Sequence, residues 1–168
     1  LDPGSGTFKQ SNVRSEIIGF TGIQDYCKHN DINKLIKTQS SAYQTNFYSK
    51  FPYRHLNERL DYVDFRDFNF RVAYDVEEKL NQGGKVKHML EGWEKTKKTF
   101  RFINRVTFVH PELPIKVDIS IVKSSTLDQD GKMIFTYTAE ESGVFSNPEV
   151  FEFELEIDNS NIGPGTLT

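Results

Sequence analysis

The sequence predicts an α+β fold in which antiparallel strands close into a β-barrel with a polar lumen and helices packed on the outside. Three observations lead to this prediction. Fourteen Phe and seven Tyr residues, often alternating with polar residues, are spread over the 168-residue chain, and such alternation is typical of strands. Helical spacing is confined to short stretches. Each predicted strand has one apolar and one charged face, and a closed barrel leaves no free edge and can hold a polar interior.

Composition bounds the class of protein. Hydrophobic residues make up 36% and charged residues 27% of the chain, which is typical of a soluble globular domain. The net charge of −3 argues against a generally basic nucleic-acid-binding surface. Cys27 is the only cysteine, so an internal disulfide is excluded and a reducing compartment is favoured. No apolar run approaches the length of about 20 residues that a membrane span needs, and we expect no membrane association.

The domain organisation follows from the two ends. Residues 1–11 read as a loop or a vector-derived remnant, and residues 159–168, rich in Gly, Pro, Asn and Ser, read as a linker. Residues 12–158 form the predicted domain. We expect the chain to be a piece of a longer protein.

The first half of the domain mixes strands and helices. Strands are predicted for the stretches "NVRSEII", "AYQTNFYSKFPY" and "NFRVAY", the second of them stopped by Pro52. One or two short helices are predicted in "TGIQDYCKHNDINKLIK". Asp75 followed by glutamates predicts a helix start in "DVEEKL", and "VKHMLEGWEKTK" predicts a second short helix or an irregular crossing.

The second half contains the strongest strand signals. The stretches "KTFRFINRVTFVH" and "IKVDISIVKSS" alternate throughout, with Pro111 and Pro114 marking the turn between them. Asp-Gly in "DQDGKM", followed by "MIFTYT", predicts a hairpin. The last strand is predicted in "VFEFELEID", where glutamate occupies every second position.

Two interpretations of the charged faces stay open at this point. Basic and acidic residues share a face on the strands named above: Arg14, Arg71, Arg101, Arg105, Lys116, Asp118, Glu152, Glu154 and Glu156. The first interpretation is an amphipathic sheet whose charged face lies in water. The second places the charged faces inside the barrel. There, glutamates would bind a hard divalent cation, Mg²⁺ or Mn²⁺, while arginine and lysine would hold phosphate oxygens. The ligand implied is a metal-bound polyphosphate.

The stretches "FRFINRVTF", "IKVDISIVKSS" and "FEFELEI", in this order, resemble the RNA 5′-triphosphatase domain of capping enzymes from large nucleocytoplasmic DNA viruses of the mimivirus kind. That domain is a triphosphate tunnel metalloenzyme. The stretches "NVRSEIIGFTGIQDYCKHNDI" and "DFNFRVAYDVEEKL" extend the resemblance to residues 12–157. It implies a polynucleotide 5′-phosphatase that removes the γ-phosphate from triphosphate-ended RNA in the first step of mRNA capping, located in the host cytoplasm (the viral factory) or the virion.

The resemblance also implies roles for individual residues. Glu152, Glu154 and Glu156 match the glutamates that bind the catalytic metal or its water. Arg101, Arg105 and Lys116 match phosphate-binding residues, and Asp118 matches a partner-orienting or metal-water position; with Glu154 these four form the predicted catalytic group. Arg14 and Arg71 match earlier basic positions.

Some positions depart from the family's pattern. Ile103 lies where a lysine can stand in relatives, and Lys123 falls on the opposite face from Lys116. The family's first Glu-x-Glu strand was not found, so we expect that strand to be missing from this chain. The guanylyltransferase lysine motif is absent too, and a guanylyltransferase module is expected to follow in the parent protein. The alternatives are a hydrolase of free nucleoside triphosphate or tripolyphosphate, and a non-catalytic domain that binds polyphosphate or RNA ends or acts as a scaffold.

Overall fold

The computed structural model of the chain describes residues 12–38, 40–52, 54–55, 58–59 and 62–157. Contacts between Cα atoms divide the chain into two compact units, Leu1–Trp93 and Glu94–Thr168. The first and last segments of the predicted organisation, residues 1–11 and 159–168, lie outside the described residues.

Among its described residues the first unit contains three α-helices and seven strands. Its helices are α1 (Phe20–His29), α2 (Ile32–Thr38) and α3 (Gly84–Glu91), and its strands are β1 (Val13–Ile18), β2 (Gln44–Pro52), β3 (Arg54–His55), β4 (Glu58–Arg59), β5 (Tyr62–Phe65), β6 (Phe70–Ala73) and β7 (Asp75–Lys79). Strands β1, β2 and β7 form a sheet in the order β1-β2-β7, while β3-β4 and β5-β6 form two-stranded sheets. All the pairings are antiparallel.

Aromatic and aliphatic side chains of α1, α2 and α3 form most of the first unit's core. Ile32 and Leu35 are three residues apart, one turn of α2, and both are buried. Trp93 packs edge-on against Tyr26, with ring centroids 6.1 Å apart, and its Nε1–H donates to the carbonyl oxygen of Asn30. The burial of Tyr26 raises the pKa of its hydroxyl. Gly22 lets α1 approach the β2 side of the unit, since a Cβ there would lie 2.6 Å from the Cβ of Tyr43.

The described residues of the second unit form a three-stranded antiparallel sheet, with irregular segments before and between its strands. Its strands are β8 (Arg101–Val109), β9 (Ile115–Ser124) and β10 (Val150–Ile157), in the order β10-β9-β8. Residues 125–149 connect β9 to β10 along the chain. Within this segment, Phe145 packs against Phe102 of β8. Lys123 lies on this same side, and its Nζ donates to the carbonyl oxygen of Phe145.

The predicted closed barrel with a polar lumen is wrong. The described residues form an α+β fold with open sheets, and in the second unit both β8 and β10 are edge strands. Alternation along a strand requires only that its two faces differ; it carries no information on whether the two outer strands pair with each other. The helices expected on the outside of a barrel all belong to the first unit.

Two local predictions are also wrong. The stretch "DVEEKL" is strand β7 rather than a helix, because residues 75–79 pair with residues 48–52 of β2, and this tertiary pairing outweighs the capping signal at Asp75. The hairpin expected at "DQDGKM" is reduced to an isolated bridge between Leu127 and Met133, and "MIFTYT" forms no strand. Its turn is present, with both the Asp130 and the Lys132 amides donating to Oδ1 of Asp128.

Candidate functional site

One face of the β8-β9-β10 sheet gathers most of the residues predicted to bind metal and phosphate. Cross-strand register places Arg105 opposite Ser120 and Ser120 opposite Glu152, and the next rows along continue the same face. We call this surface the charged face; its ionic residues are Arg101, Arg105, Lys116, Asp118, Glu152, Glu154 and Glu156. Alternation sends their backbone neighbours to the opposite side, so a single face collects three cations and four carboxylates.

Each of the three glutamates of β10 is paired with a basic residue. Nη2 of Arg101 lies 2.7 Å from both carboxylate oxygens of Glu152. Nζ of Lys116 lies 3.2 Å from Glu156, and Nη2 of Arg105 lies 2.8 Å from Glu154. The mutual repulsion of three like charges on one strand is therefore offset by cations from β8 and β9.

The guanidinium of Arg105 contacts three side chains. Its Nε donates to the hydroxyl of Ser120 at 3.0 Å, and its Nη1 lies 2.9 Å from Oδ2 of Asp118. The other oxygen of Asp118 accepts from the hydroxyl of Thr107. With Glu154 included, this guanidinium contacts side chains from both of the other strands.

Burial differs sharply between the central and edge strands. Asp118 and Ser120 on β9 are 7% and 0% exposed, since they are flanked by side chains of β8 and β10. The side chain of Glu154 is 54% exposed and that of Glu156 is 63% exposed. The site thus has a fixed floor on β9 and accessible carboxylates along one edge.

An apolar row interrupts the charged face between Arg101 and Arg105. Ile103 lies opposite Val122, and Val122 lies opposite Val150. Val122 is 1% exposed, whereas Ile103 is 39% exposed. Ile103 therefore lies beside a buried valine while part of its own side chain stays accessible.

The donor chemistry of the charged face suits a hard cation, but the carboxylates are not gathered around a common point. Glutamate and aspartate oxygens are the ligands that Mg²⁺ and Mn²⁺ prefer. Within the part of the chain that the structure describes, no group of three or more His, Cys, Asp or Glu side chains is close enough to hold a metal ion. Asp118 and Glu154 lie opposite each other on β9 and β10, and both contact the guanidinium of Arg105.

Arg14 and Arg71, the two earlier phosphate-binding candidates, lie in the first unit and are engaged there. Arg14 on β1 has its Nη2 2.6 Å from Glu77. Arg71 on β6 donates to both oxygens of Asp64, at 2.7 and 3.1 Å, and stacks over the ring of Tyr62. The hydrogen bonds from Arg71 lower the pKa of Asp64.

Sequence reasoning missed an acidic pair on β7. Asp75 and Glu77 are two residues apart on a strand and so share a face; Asp75 pairs with Lys50 at 3.0 Å, and Glu77 pairs with Arg14. The acidic residues at the start of "DVEEKL" resemble the first turn of a helix, so the sequence predicted a helix instead of a strand. The useful signal was the alternation of the preceding "NFRVAY" stretch. Asp75 and Glu77 continue the same every-second-residue positions as Arg71.

The face of the β8-β9-β10 sheet opposite the charged face is largely apolar, and its β10 side chains are exposed. Phe151, Phe153 and Leu155 on β10 are 74%, 70% and 63% exposed, although the barrel prediction had these faces covered. Among the described residues no helix is long and apolar enough to cross a bilayer.

No protein-family model, no curated protein and no solved structure matches this chain. Its function is therefore inferred from the residues and their geometry.

Proposed function

We propose that this chain is a metal-dependent RNA 5′-triphosphatase, which removes the γ-phosphate from triphosphate-ended RNA as the first step of mRNA capping. The observation that supports it is the charged face, where Arg101, Arg105 and Lys116 each contact a different glutamate of β10. A metal-bound triphosphate carries both kinds of partner that these residues need, anionic oxygens and a cation. The sheets are open and the expected tunnel is absent from the described residues, so the charged face alone supports this proposal.

The ion pairs of the charged face can be exchanged for ligand contacts at small cost. Pairs between exposed side chains typically stabilise a protein by about 0.2–1 kcal/mol each. Arginine binds phosphate oxygens bidentately, in the same geometry it uses with carboxylates. A triphosphate would thus take the guanidinium groups of Arg101 and Arg105 and the ammonium of Lys116 from the glutamates, leaving the carboxylates available.

One or two of the released glutamates Glu152, Glu154 and Glu156 would hold Mg²⁺ or Mn²⁺. Mg²⁺ commonly takes only one or two protein carboxylates and completes its shell with water and substrate phosphates, so a preformed cluster of three ligands is not required. When bound, the metal would supply charge neutralisation at the phosphate oxygens.

The chain's own residues would perform the remaining steps. The arginines would stabilise the charge that builds on the equatorial oxygens of the transferring phosphoryl group. Glu154, the glutamate in the middle of β10, would accept a hydrogen bond from the attacking water and hold it in line. Asp118 would keep Arg105 in place during this step. Positioning and charge stabilisation provide most of the acceleration in phosphoryl transfer.

A second candidate function is a non-catalytic domain that binds a polyphosphate or an RNA 5′ end. The observation that favours it is the state of the carboxylates: within the described residues, the acidic side chains of the charged face are ion-paired and do not form a group of metal ligands. The tripolyphosphate hydrolase stays an alternative that the same residues would serve. Arg14 and Arg71 as substrate contacts, the guanylyltransferase partner and the viral location remain predictions.

Phosphate release from RNA with a 5′-triphosphate end, measured with Mn²⁺ and then with EDTA, tests the proposal. We expect Mn²⁺-dependent release of one phosphate per RNA, leaving a 5′-diphosphate end. Glu154→Gln should lower the rate by about 100-fold, the scale of losing one preorganised electrostatic contact. Glu140→Gln, the same change at an exposed position of the segment between β9 and β10, should leave the rate unchanged.

The pattern of failure identifies the alternatives. Binding of triphosphate-ended RNA without release would favour the binding domain. Faster release from tripolyphosphate than from RNA would favour the tripolyphosphate hydrolase. Equal loss of activity in the Glu154 and Glu140 variants would contradict the assignment of the site to the charged face.

A further inference from the structure

The two arginines of the charged face differ in how firmly they are held. Arg101 contacts Glu152 through Nη2 alone, and these side chains are 42% and 34% exposed. Arg105 uses Nε, Nη1 and Nη2 on three different side chains. The structure thus contains one arginine anchored at a single nitrogen and one anchored at every nitrogen of its guanidinium.

Two of the three anchors of Arg105 are themselves immobilised. Ser120 is fully buried and Asp118 is nearly so, and Thr107 donates to the second oxygen of Asp118. Asp118 is restrained by burial and by the hydrogen bond from Thr107, and Ser120 is restrained by burial alone. With few alternative rotamers, the two side chains fix the plane of the guanidinium as well as its position. Glu154 is the exposed anchor and the one that a ligand can displace.

We propose that Ser120 and Thr107 are positioning residues that fix Arg105 as a preorganised clamp for the transferring phosphoryl group, while Arg101 is a displaceable arginine that serves substrate binding. This inference rests on the proposed function. A guanidinium has five N–H donors, and the contacts with Ser120, Asp118 and Glu154 use three of them, so two remain for phosphate oxygens even with every anchor kept. Loss of Glu154 to the metal would release a third.

Preorganisation predicts different kinetic roles for the two arginines. A group that is already oriented costs no reorganisation when charge develops, so its benefit appears in the transition state and in kcat. A mobile arginine must be ordered by the substrate, and its contact forms equally in the ground state, which affects KM. The anchors of Arg105 should therefore influence kcat although they never touch the substrate.

The test compares Ser120→Ala and Thr107→Val with Ser124→Ala and Thr107→Ser. Ser124 is on the same strand and face, opposite Arg101, and its hydroxyl makes no hydrogen bond to any described residue. Ser120→Ala and Thr107→Val each remove a hydroxyl without adding bulk, and Thr107→Ser restores the hydroxyl. Every variant is measured in two ways. The water-exchange rate of the arginine Nε–H protons is measured by ¹⁵N NMR, and kcat and KM are measured for phosphate release.

We expect Ser120→Ala to speed Nε–H exchange of Arg105 several-fold while leaving that of Arg101 unchanged. It should lower kcat by about 10-fold with KM changed less than about 2-fold, a loss smaller than that from deleting a direct electrostatic contact. Thr107→Val should shift kcat in the same direction, and Ser124→Ala and Thr107→Ser should behave like the parent chain.

Unchanged Nε–H exchange of Arg105 in Ser120→Ala, or a rise in KM at constant kcat, would overturn the inference. The NMR comparison needs no turnover. If the parent chain releases no phosphate, the proposed function fails while the exchange rates still decide whether Ser120 fixes Arg105.

Discussion

The contact between Arg101 and Glu152 provides a quantitative prediction about the ligand-free charged face. This pair joins the two edge strands of the second unit across β9, with Nη2 of the arginine 2.7 Å from both carboxylate oxygens. The perturbation is a double-mutant cycle of Arg101→Ala, Glu152→Ala and the double variant. Such a cycle isolates the pairwise free energy from the effects of each single truncation.

The expected coupling follows from exposure and geometry. Both side chains are more than one-third exposed, which places the pair among surface ion pairs of about 0.2–1 kcal/mol. Two short charge-assisted contacts raise the expectation toward the upper part of that range, so we expect about 0.5–1 kcal/mol at low ionic strength. At 1 M salt the Debye length falls to about 3 Å, and the coupling should fall by half or more.

Native-state hydrogen exchange of the β9 backbone amides is the assay. Unfolding of a chain with two compact units is not safely described by one transition, whereas the amides of the central strand report opening of this sheet alone. Arg101 combined with Glu156 is the matched control pair, because Glu156 contacts Lys116 instead, and its coupling should be close to zero.

Saturating tripolyphosphate adds the decisive condition. If phosphate takes over the guanidinium of Arg101, the coupling with Glu152 should disappear when the ligand is bound. A coupling of zero at low salt, or one unaffected by both salt and tripolyphosphate, would refute the idea that this face neutralises itself by exchangeable ion pairs.

Three further predictions concern single positions. Ile103→Lys, a change at a partly exposed position between two arginines, should tighten tripolyphosphate binding by about 3- to 10-fold, the scale of one typical added hydrogen bond, in isothermal titration calorimetry; unchanged affinity would show that this row does not face the ligand. Trp93→Phe removes the hydrogen bond to the Asn30 carbonyl and should lower the free energy of local opening of α1 and α2 by about 1 kcal/mol, measured by native-state hydrogen exchange of their backbone amides; no change would mean that water replaces the indole. The hydrogen bonds from Arg71 lower the pKa of Asp64 in the folded state. The pair therefore stabilises the fold fully above the unfolded-state pKa of Asp64, and this stabilisation is lost as the pH falls through the folded-state pKa. Arg71→Ala should return the pKa of Asp64, measured by NMR titration, toward its ordinary value.

Local structure was largely predictable where the alternation of apolar and polar residues and the tertiary pairing favour the same element. Strands β8, β9 and β10 follow from uninterrupted alternation of Phe, Val and Ile with charged residues, which fits only a period of two. The helices α1 and α2 follow from apolar spacing in the segment after Gly19. In these stretches the local preference of the chain and its tertiary pairing favour the same structure.

The failures occurred where pairing decides the outcome. Residues 75–79 have the sequence of a capped helix start, but they form strand β7 because they pair with β2. Barrel closure depends on whether β8 and β10 find further partners, and no pattern within either strand contains that information. The grouping of charges on one face could be predicted from alternation alone, whereas the anchoring of Arg105 by Ser120 required cross-strand register.

Manganese-induced broadening of backbone amide signals, recorded with tripolyphosphate present, most directly tests whether the charged face binds a metal-bound polyphosphate. Mn²⁺ is paramagnetic, so it weakens signals only from residues close to it. We expect selective loss of the amide signals of Glu152, Glu154 and Glu156 and of their β9 neighbours, with those of Asp75 and Glu77 preserved. Broadening centred on β7, or no selective broadening in a chain that still binds tripolyphosphate, would contradict the account.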